Sequence, residues 1–481
     1  MTTVARRRGI VGLVLVVALI LSACTFSTPE SSPSSAQASS ASAGSGPAAT
    51  QDPQTNALNP TRTDSTTPNP TLCPQLAFVL ELFNGAPLTP ARFESTFGPS
   101  FRNVVGYEAF TASLEELQIL APYTLGAERS CDGSQLAVSV TAADGTDVVV
   151  TLTVDEAGLI SGLLATPGDP PALDQPVRSI DDAVMRLGQL GTTRFAAFTV
   201  EEDRCTIDTA VRADEQAPIG SISTLYVLAA VISAIDAGDL SWTDRLRLEE
   251  DLVSLPSGIL QDREPGSVVS VAEAAELMIT ISDNTAADLL LDAVGRDSVE
   301  TAQASWGHSA PQQNTPFPTT REMFLLKAAN PQVQQTWIQG DEATRREVLA
   351  DLRSDDLPPL TLFAQGPILP RAIEWFASPA DLCRILARLH LRLDQQGMGP
   401  LRQILTGSVG VPDDQQLWED ILFKGGSEPG LVAGAFLVTD ADGHVYALAT
   451  SVVNTEQEID GIRAVLLIGA ARDLLPAGGD Q

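Results

Sequence analysis

Apolar positions in the first third of the chain change period partway along. Leu76, Val79, Leu80, Leu82 and Phe83 recur at helical spacing and predict a helix over 75–83. Thr89 followed by Pro90 has the form of an N-cap and a first helical position, and predicts a second helix. A third is predicted over 107–120. The pattern then alternates. Strands are predicted over 135–142, 147–154 and 159–164, with Asp144-Gly145 as the hairpin turn between the first two. Helices followed by antiparallel strands give a small α+β domain over 73–167.

The run Pro167-Gly168-Asp169-Pro170-Pro171 interrupts both periods and marks a boundary. A second, larger pattern occupies 178–476. Strands are predicted over 194–201 and 205–211, then a long helical middle, then strands over 431–439 and 445–453 joined by Asp442-Gly443, then a helix over 459–475. Its sheet is thus built from both ends of the domain, with helices inserted between. The fold class is α+β in both parts.

Upstream, residues 25–72 are Ser, Thr, Pro, Ala and Gln with almost no large apolar side chains, a composition that predicts a disordered tether. Arg6-Arg7-Arg8 and the short apolar run 9–21 read as a signal peptide over 1–24. Leu21-Ser22-Ala23-Cys24 matches a bacterial lipobox, so Cys24 is the expected diacylglycerol anchor. It would hold the protein on the outer face of the cytoplasmic membrane. That compartment permits disulfides. Cys73, Cys131, Cys205 and Cys383 allow three pairings, of which the domain division favours Cys73–Cys131 and Cys205–Cys383. A net charge of −32 leaves no surplus of cations for phosphates and argues against nucleic acid as a partner. Without a C-x-x-C, and with the three histidines far apart in sequence, neither a metal site nor a cofactor is expected.

Candidate chemistry lies in three segments of the second domain: Ser221-Ile222-Ser223-Thr224, Ser282-Asp283-Asn284 and Lys424-Gly425-Gly426. Supporting them are Ser254-Leu255-Pro256-Ser257-Gly258, Ala274-Ala275-Glu276-Leu277-Met278, and the run Ile281 to Leu290. In this order and spacing the chain resembles the class A β-lactamase and penicillin-recognising serine hydrolases over about 180–475, with an insertion around 328–375 before Trp375-Phe376-Ala377-Ser378-Pro379. The first domain resembles a cystatin-like or ketosteroid-isomerase-like (NTF2-like) cone on element order alone, and the pair resembles a two-domain branch of that superfamily.

The resemblance implies roles. Ser221 would be the nucleophile, at a helix start where free N–H groups favour negative charge. Its N–H and that of Ser427, beside Gly426, would bind the oxyanion. Ser282 would pass a proton to the leaving group. Asn284 would hold a substrate amide. Lys424 would hold Ser282 and attract a substrate carboxylate. Each retained residue also has a structural role open to it: Ser221 a helix N-cap, Ser282-Asp283-Asn284 a turn between helices, Lys424 a solvated strand residue.

Three positions depart from the family pattern. Thr224 stands where a lysine should accept the Ser221 proton, and a hydroxyl of high pKa is no base near pH 7. Ala310 stands four residues before Asn314, where a deacylating glutamate would be. Gly425 replaces a threonine whose hydroxyl would bind a carboxylate. Losing the buried lysine and its carboxylate together avoids an uncompensated charge. The expectation is a membrane-anchored, β-lactamase-like serine hydrolase of weak or lost activity toward a β-lactam, an ester or a peptidoglycan-derived molecule, with Lys424 relayed through Ser282 as a substitute base. The alternative is a non-catalytic lipoprotein that binds a wall peptide or a partner protein in the same cleft.

Overall fold

The computed structural model describes residues 72–475, apart from 119, 132–134, 144, 146, 156, 168–172 and 412–415. The predicted signal peptide, Cys24 and the predicted tether up to residue 71 lie outside the described residues, as do Asp144 of the first hairpin and the side chains of Cys73 and Cys131.

The N-terminal region is four helices followed by four strands: α1 (Leu72–Phe83), α2 (Pro90–Thr96), α3 (Pro99–Val104), α4 (Tyr107–Gln118), β1 (Thr124–Cys131), β2 (Gln135–Thr141), β3 (Asp147–Val154) and β4 (Ile160–Pro167). The strands form an antiparallel meander in the order β1-β2-β3-β4. Thr89 caps α2 as its sequence predicts, its hydroxyl accepting the Arg92 N–H, with Pro90 in the first turn. Phe93, Phe97, Phe101 and Phe110 stack into an aromatic core against the apolar face of β3, whose residues alternate between inside and outside. Two elements escaped the sequence pattern. Helix α3 has only six residues, and β1 carries too few apolar residues to alternate.

The C-terminal part is built on a five-stranded antiparallel sheet. Its order is β7-β8-β9-β5-β6, from α5 (Ile180–Gly188), β5 (Thr192–Glu201), β6 (Arg204–Val211), β7 (Asp420–Glu428), β8 (Leu431–Thr439) and β9 (Val445–Val453). Alternate residues of these strands face two separate cores. Phe195, Val432, Phe436 and Leu448 pack under α5 and the last helix, Gly461–Arg472. Phe198, Leu422, Ala433, Leu437 and Ala449 pack under a helical layer centred on α6 (Thr224–Ala237). Because both faces are covered, β8 and β9 are almost continuously buried rather than half polar. Helix α6 is buried all round from Thr224 to Ile232, as its unbroken apolar sequence requires.

Around α6 lie α7 (Val271–Thr280), α8 (Asn284–Val294), α9 (Arg296–Ser305) and α10 (Thr320–Ala328). Helices α11 (Pro331–Gln339) and α12 (Glu342–Leu352) occupy the span where the sequence predicts an insertion, before α13 (Pro379–His390) returns to the sheet. A disulfide joins Cys205 on the edge strand β6 to Cys383 on α13, with 6.2 Å between the Cα atoms, as the domain division favours. Sequence periodicity missed β7. That strand carries Lys424, so the omission bears directly on the site.

Candidate active site

Ser221 sits in a short 3₁₀ turn, Gly220–Ser223, that runs straight into α6. It is therefore not a capping residue. The first N–H groups of such a turn have no acceptor within the helix. That of Gly220 is taken by a carboxylate, donating to Glu374 Oε2 at 3.1 Å. Strand β7 lies directly against this turn. A β-carbon on Gly426 would fall on the Ile219 carbonyl oxygen and 3.0 Å from Ser221 N. One on Gly220, whose φ is +53°, would come within 3.4 Å of Ser427 N. Glycine at both positions lets the two backbones touch. The Ser221 and Ser427 amides flank this contact, a pairing that can serve an oxyanion.

Thr224 is 5 % exposed, and its hydroxyl donates to the Ser221 carbonyl at 2.8 Å. The hydroxyl is spent on the helix backbone.

Lys424 faces the same side of β7 as Gly426, two residues and so roughly 7 Å along the strand. It is not solvated: it is 1 % exposed. Its Nζ donates to Ser282 Oγ, and to the Gly425 carbonyl at 3.1 Å. Burial, with no opposing charge, lowers the amine to about 7. Ser282 meets it from the turn between α7 and α8, with φ at +54°. That turn is fixed on every side. Asp283 caps α8 through the Ala286 N–H at 2.8 Å, and its other oxygen accepts the Ile259 and Leu260 N–H groups at 2.7 and 2.9 Å. Desolvation pushes this carboxyl up, while those backbone donors pull the other way. Gly258, at φ +112°, leaves the room that Asp283 occupies: a β-carbon would stand 2.5 Å from Asp283 Oδ2. Ser257 donates to the Ser282 carbonyl at 2.7 Å, and Asn284 Nδ2 donates to the Leu255 carbonyl at 3.0 Å. The Ser-Asp-Asn segment is thus a helix-joining turn and also the element that aims Ser282 at Lys424.

Two of the departures acquire a physical setting. The Phe423 ring stands 2.9 Å from where a β-carbon on Gly425 would be, so a side chain there must displace it. Ala310 donates its N–H to His308 Nδ1 at 3.0 Å. Asn314 is buried, bonding Gln303 and both the N–H and the carbonyl of Phe376 at 2.8 Å. Asn314 thereby holds the 376–377 segment, which pairs with 217–218 just ahead of the Ser221 turn.

Sequence reasoning missed three residues here. Glu374, which holds the Gly220 N–H, also accepts from Lys327 Nζ at 2.9 Å. Lys327 reaches Glu428 on β7 as well. Their signal was faint: Lys327 precedes the predicted insertion, Glu374 lies at its end, and Glu428 directly follows the Lys-Gly-Gly-Ser run.

Two family models and several solved structures resemble this chain. Residues 192–409 match the model of the beta-lactamase enzyme family, and residues 67–160 match that of the ORF 12 gene product N-terminal region. Among solved structures, a β-lactamase from Sphaerobacter thermophilus is 22 % identical, aligning over 62 % of this chain and 98 % of its own at a TM-score of 0.44. A PBP-A mutant solved as an acyl-enzyme complex with penicillin G is 20 % identical over 62 % of this chain and 97 % of its own, with a TM-score of 0.41. An ancestral class A β-lactamase is 20 % identical over 60 % and 97 %, with a TM-score of 0.42. The C-terminal part of the chain thus has a β-lactamase-like fold, with residues 192–409 similar to the beta-lactamase enzyme family, and it follows a separate N-terminal region.

Proposed function

We propose that the protein is a lipid-anchored serine acyl hydrolase in which Ser221 is the nucleophile and Lys424, acting through Ser282, is the base. The observation that carries this reading is the Lys424 amine, buried in contact with Ser282 and lowered to about 7. A lysine at its ordinary value of 10.5 is almost wholly protonated at neutral pH. One near 7 is half neutral and able to take a proton. In the proposed acylation, neutral Lys424 draws the Ser282 hydroxyl proton as Ser282 takes that of Ser221. The Ser221 oxygen then adds to the substrate carbonyl. The oxyanion rests on the Ser221 and Ser427 N–H groups, and the proton returns through Ser282 to the leaving group. Asn284, held by Leu255, lines the approach. Without a glutamate at 310 the acyl-enzyme lacks its usual hydrolytic base, so acylation outpaces turnover. Substrates with a reactive carbonyl fit this chemistry: a β-lactam, an ester or a peptidoglycan-derived fragment. With no hydroxyl at Gly425, an ester lacking a carboxylate fits best.

Intact-mass spectrometry after exposure to benzylpenicillin or p-nitrophenyl acetate tests the reading. An adduct on wild type that Ser221→Ala lacks supports it; equal adducts on both, or none on wild type, refute it.

The Thr224 bond to the Ser221 carbonyl favours a second reading, a non-catalytic lipoprotein that binds a wall peptide or protein in the same cleft. It predicts that Ser221→Ala complements a deletion strain fully. For location, the lipobox supports anchoring through Cys24 at the outer face of the cytoplasmic membrane. Labelled palmitate should enter wild type and not Cys24→Ser; equal labelling of both would contradict the anchor.

A further inference from the structure

Under the Ser221 turn lie three charged side chains that the proposed acylation does not use. Lys327 is 4 % exposed and Glu374 6 % exposed, and Glu428 reaches them from β7. Glu374 divides its carboxylate: one oxygen accepts the Gly220 and Trp375 N–H groups at 3.1 and 2.9 Å, the other accepts Lys327. Lys327 in turn bonds Glu428, the residue after Ser427. The contacts close a ring. They run from Ser221 to Gly220, through Glu374, Lys327 and Glu428 to Ser427 and Gly426, and back to Ser221 where the two backbones touch.

That ring passes through Ser221 and Ser427, the two residues whose N–H groups are assigned to the oxyanion. The glycines at 220 and 426 permit the close approach but hold nothing, since glycine adds conformational freedom. Something else must fix the separation of the turn from the strand. Buried ion clusters are seldom the most stable filling for a core, and apolar side chains of like volume often serve stability better. An ion cluster retained at this spot is therefore better explained by what it holds than by what it adds to stability.

We propose that Lys327, Glu374 and Glu428 are positioning residues that clamp the Ser221 turn to β7 and set the spacing of the Ser221 and Ser427 amides. This rests on the reading of Ser221 as the nucleophile. The cluster holds two carboxylates and one amine. Burial raises the Glu428 carboxyl to about 7, and its Oε1 is buried without a hydrogen-bond partner among the described residues.

The test uses the full chain and p-nitrophenyl acetate, with acylation of Ser221 followed by intact mass across ester concentrations. Hydrogen–deuterium exchange of the peptides covering 217–225 and 424–430 is measured in parallel. Lys327→Met leaves two buried carboxylates unpaired and is at risk of misfolding. The triple variant Lys327→Met/Glu374→Gln/Glu428→Gln removes all three charges together. Misplacing one oxyanion donor lowers a rate by about 100-fold. The triple variant should therefore lose roughly 10- to 100-fold in limiting acylation rate, with less than about a threefold change in half-saturating ester. It should also exchange faster in both peptides and nowhere else. Lys327→Arg should restore both signals. A folded triple variant with wild-type acylation and wild-type exchange overturns the clamp. If wild type itself takes no acyl group, the serine hydrolase reading falls. The exchange data then decide the clamp alone: faster exchange in both peptides supports it, unchanged exchange overturns it.

Discussion

Lys424 carries most of the chemical argument, and its properties follow from where β7 puts it. The folded amine titrates near 7, against 10.5 for a free lysine. Below pH 7 it is protonated in both the folded and unfolded chain, and the penalty for burying the charge stands in full, roughly 5 kcal/mol. Between pH 7 and 10.5 the unfolded chain alone holds the proton, so stability rises with pH; above 10.5 the penalty is gone. Urea titrations should show wild type gaining stability relative to Lys424→Met as pH rises from 7 to 10, and a parallel pH dependence in the two proteins would contradict the buried amine. The identity of this lysine was legible in the Lys-Gly-Gly run, and so was the hydroxyl side chain at Thr224. The burial of Lys424 was not, because exposure is set by strands and helices distant in sequence. Nor could the sequence reveal that the Thr224 hydroxyl donates to the Ser221 carbonyl, or that Phe423 stands beside Gly425.

Among the elements, the strand that matters most was the least legible. Residues 420–428 read Asp-Ile-Leu-Phe-Lys-Gly-Gly-Ser-Glu, with two glycines of the kind that weaken a strand pattern. Gly426 is there because the strand must touch the Ser221 turn, so the feature that hides the strand is the one that serves the site. The neighbouring β8 and β9 were predicted at their observed bounds, since sheet burial on both faces leaves a plain apolar run. The length between the motifs was legible, but not that Lys327 meets Glu374 across it at 2.9 Å. The sheet is tied at its other edge by Cys205–Cys383, which spans 178 residues of chain. Removing it as Cys205→Ala/Cys383→Ala should lower unfolding free energy by about 2–5 kcal/mol, read as a lower urea midpoint. An unchanged midpoint would mean that β6 is held to α13 by packing alone.

At the scale of the molecule, two apolar cores of the C-terminal part sandwich one sheet, and a third, aromatic core belongs to the N-terminal region. This division was expected from the Pro-Gly break near 167. The β-lactamase-like architecture of the second part followed from three spaced motifs. What spacing could not say is whether the assembly works with a threonine at 224. The structure buries Lys424 at the junction of the sheet and the helical layer, in contact with Ser282. The most direct measurement is the time course of Ser221 acylation by benzylpenicillin or p-nitrophenyl acetate, followed by intact mass from pH 5.5 to 9 on wild type, Ser221→Ala and Lys424→Met. The account predicts a single acyl adduct on wild type that forms faster as pH rises through about 7. It predicts none on Ser221→Ala, and a rate lower by about a thousandfold or more on Lys424→Met. A wild-type protein that stays unmodified across this range, or a Lys424→Met variant acylated at the wild-type rate, would contradict it.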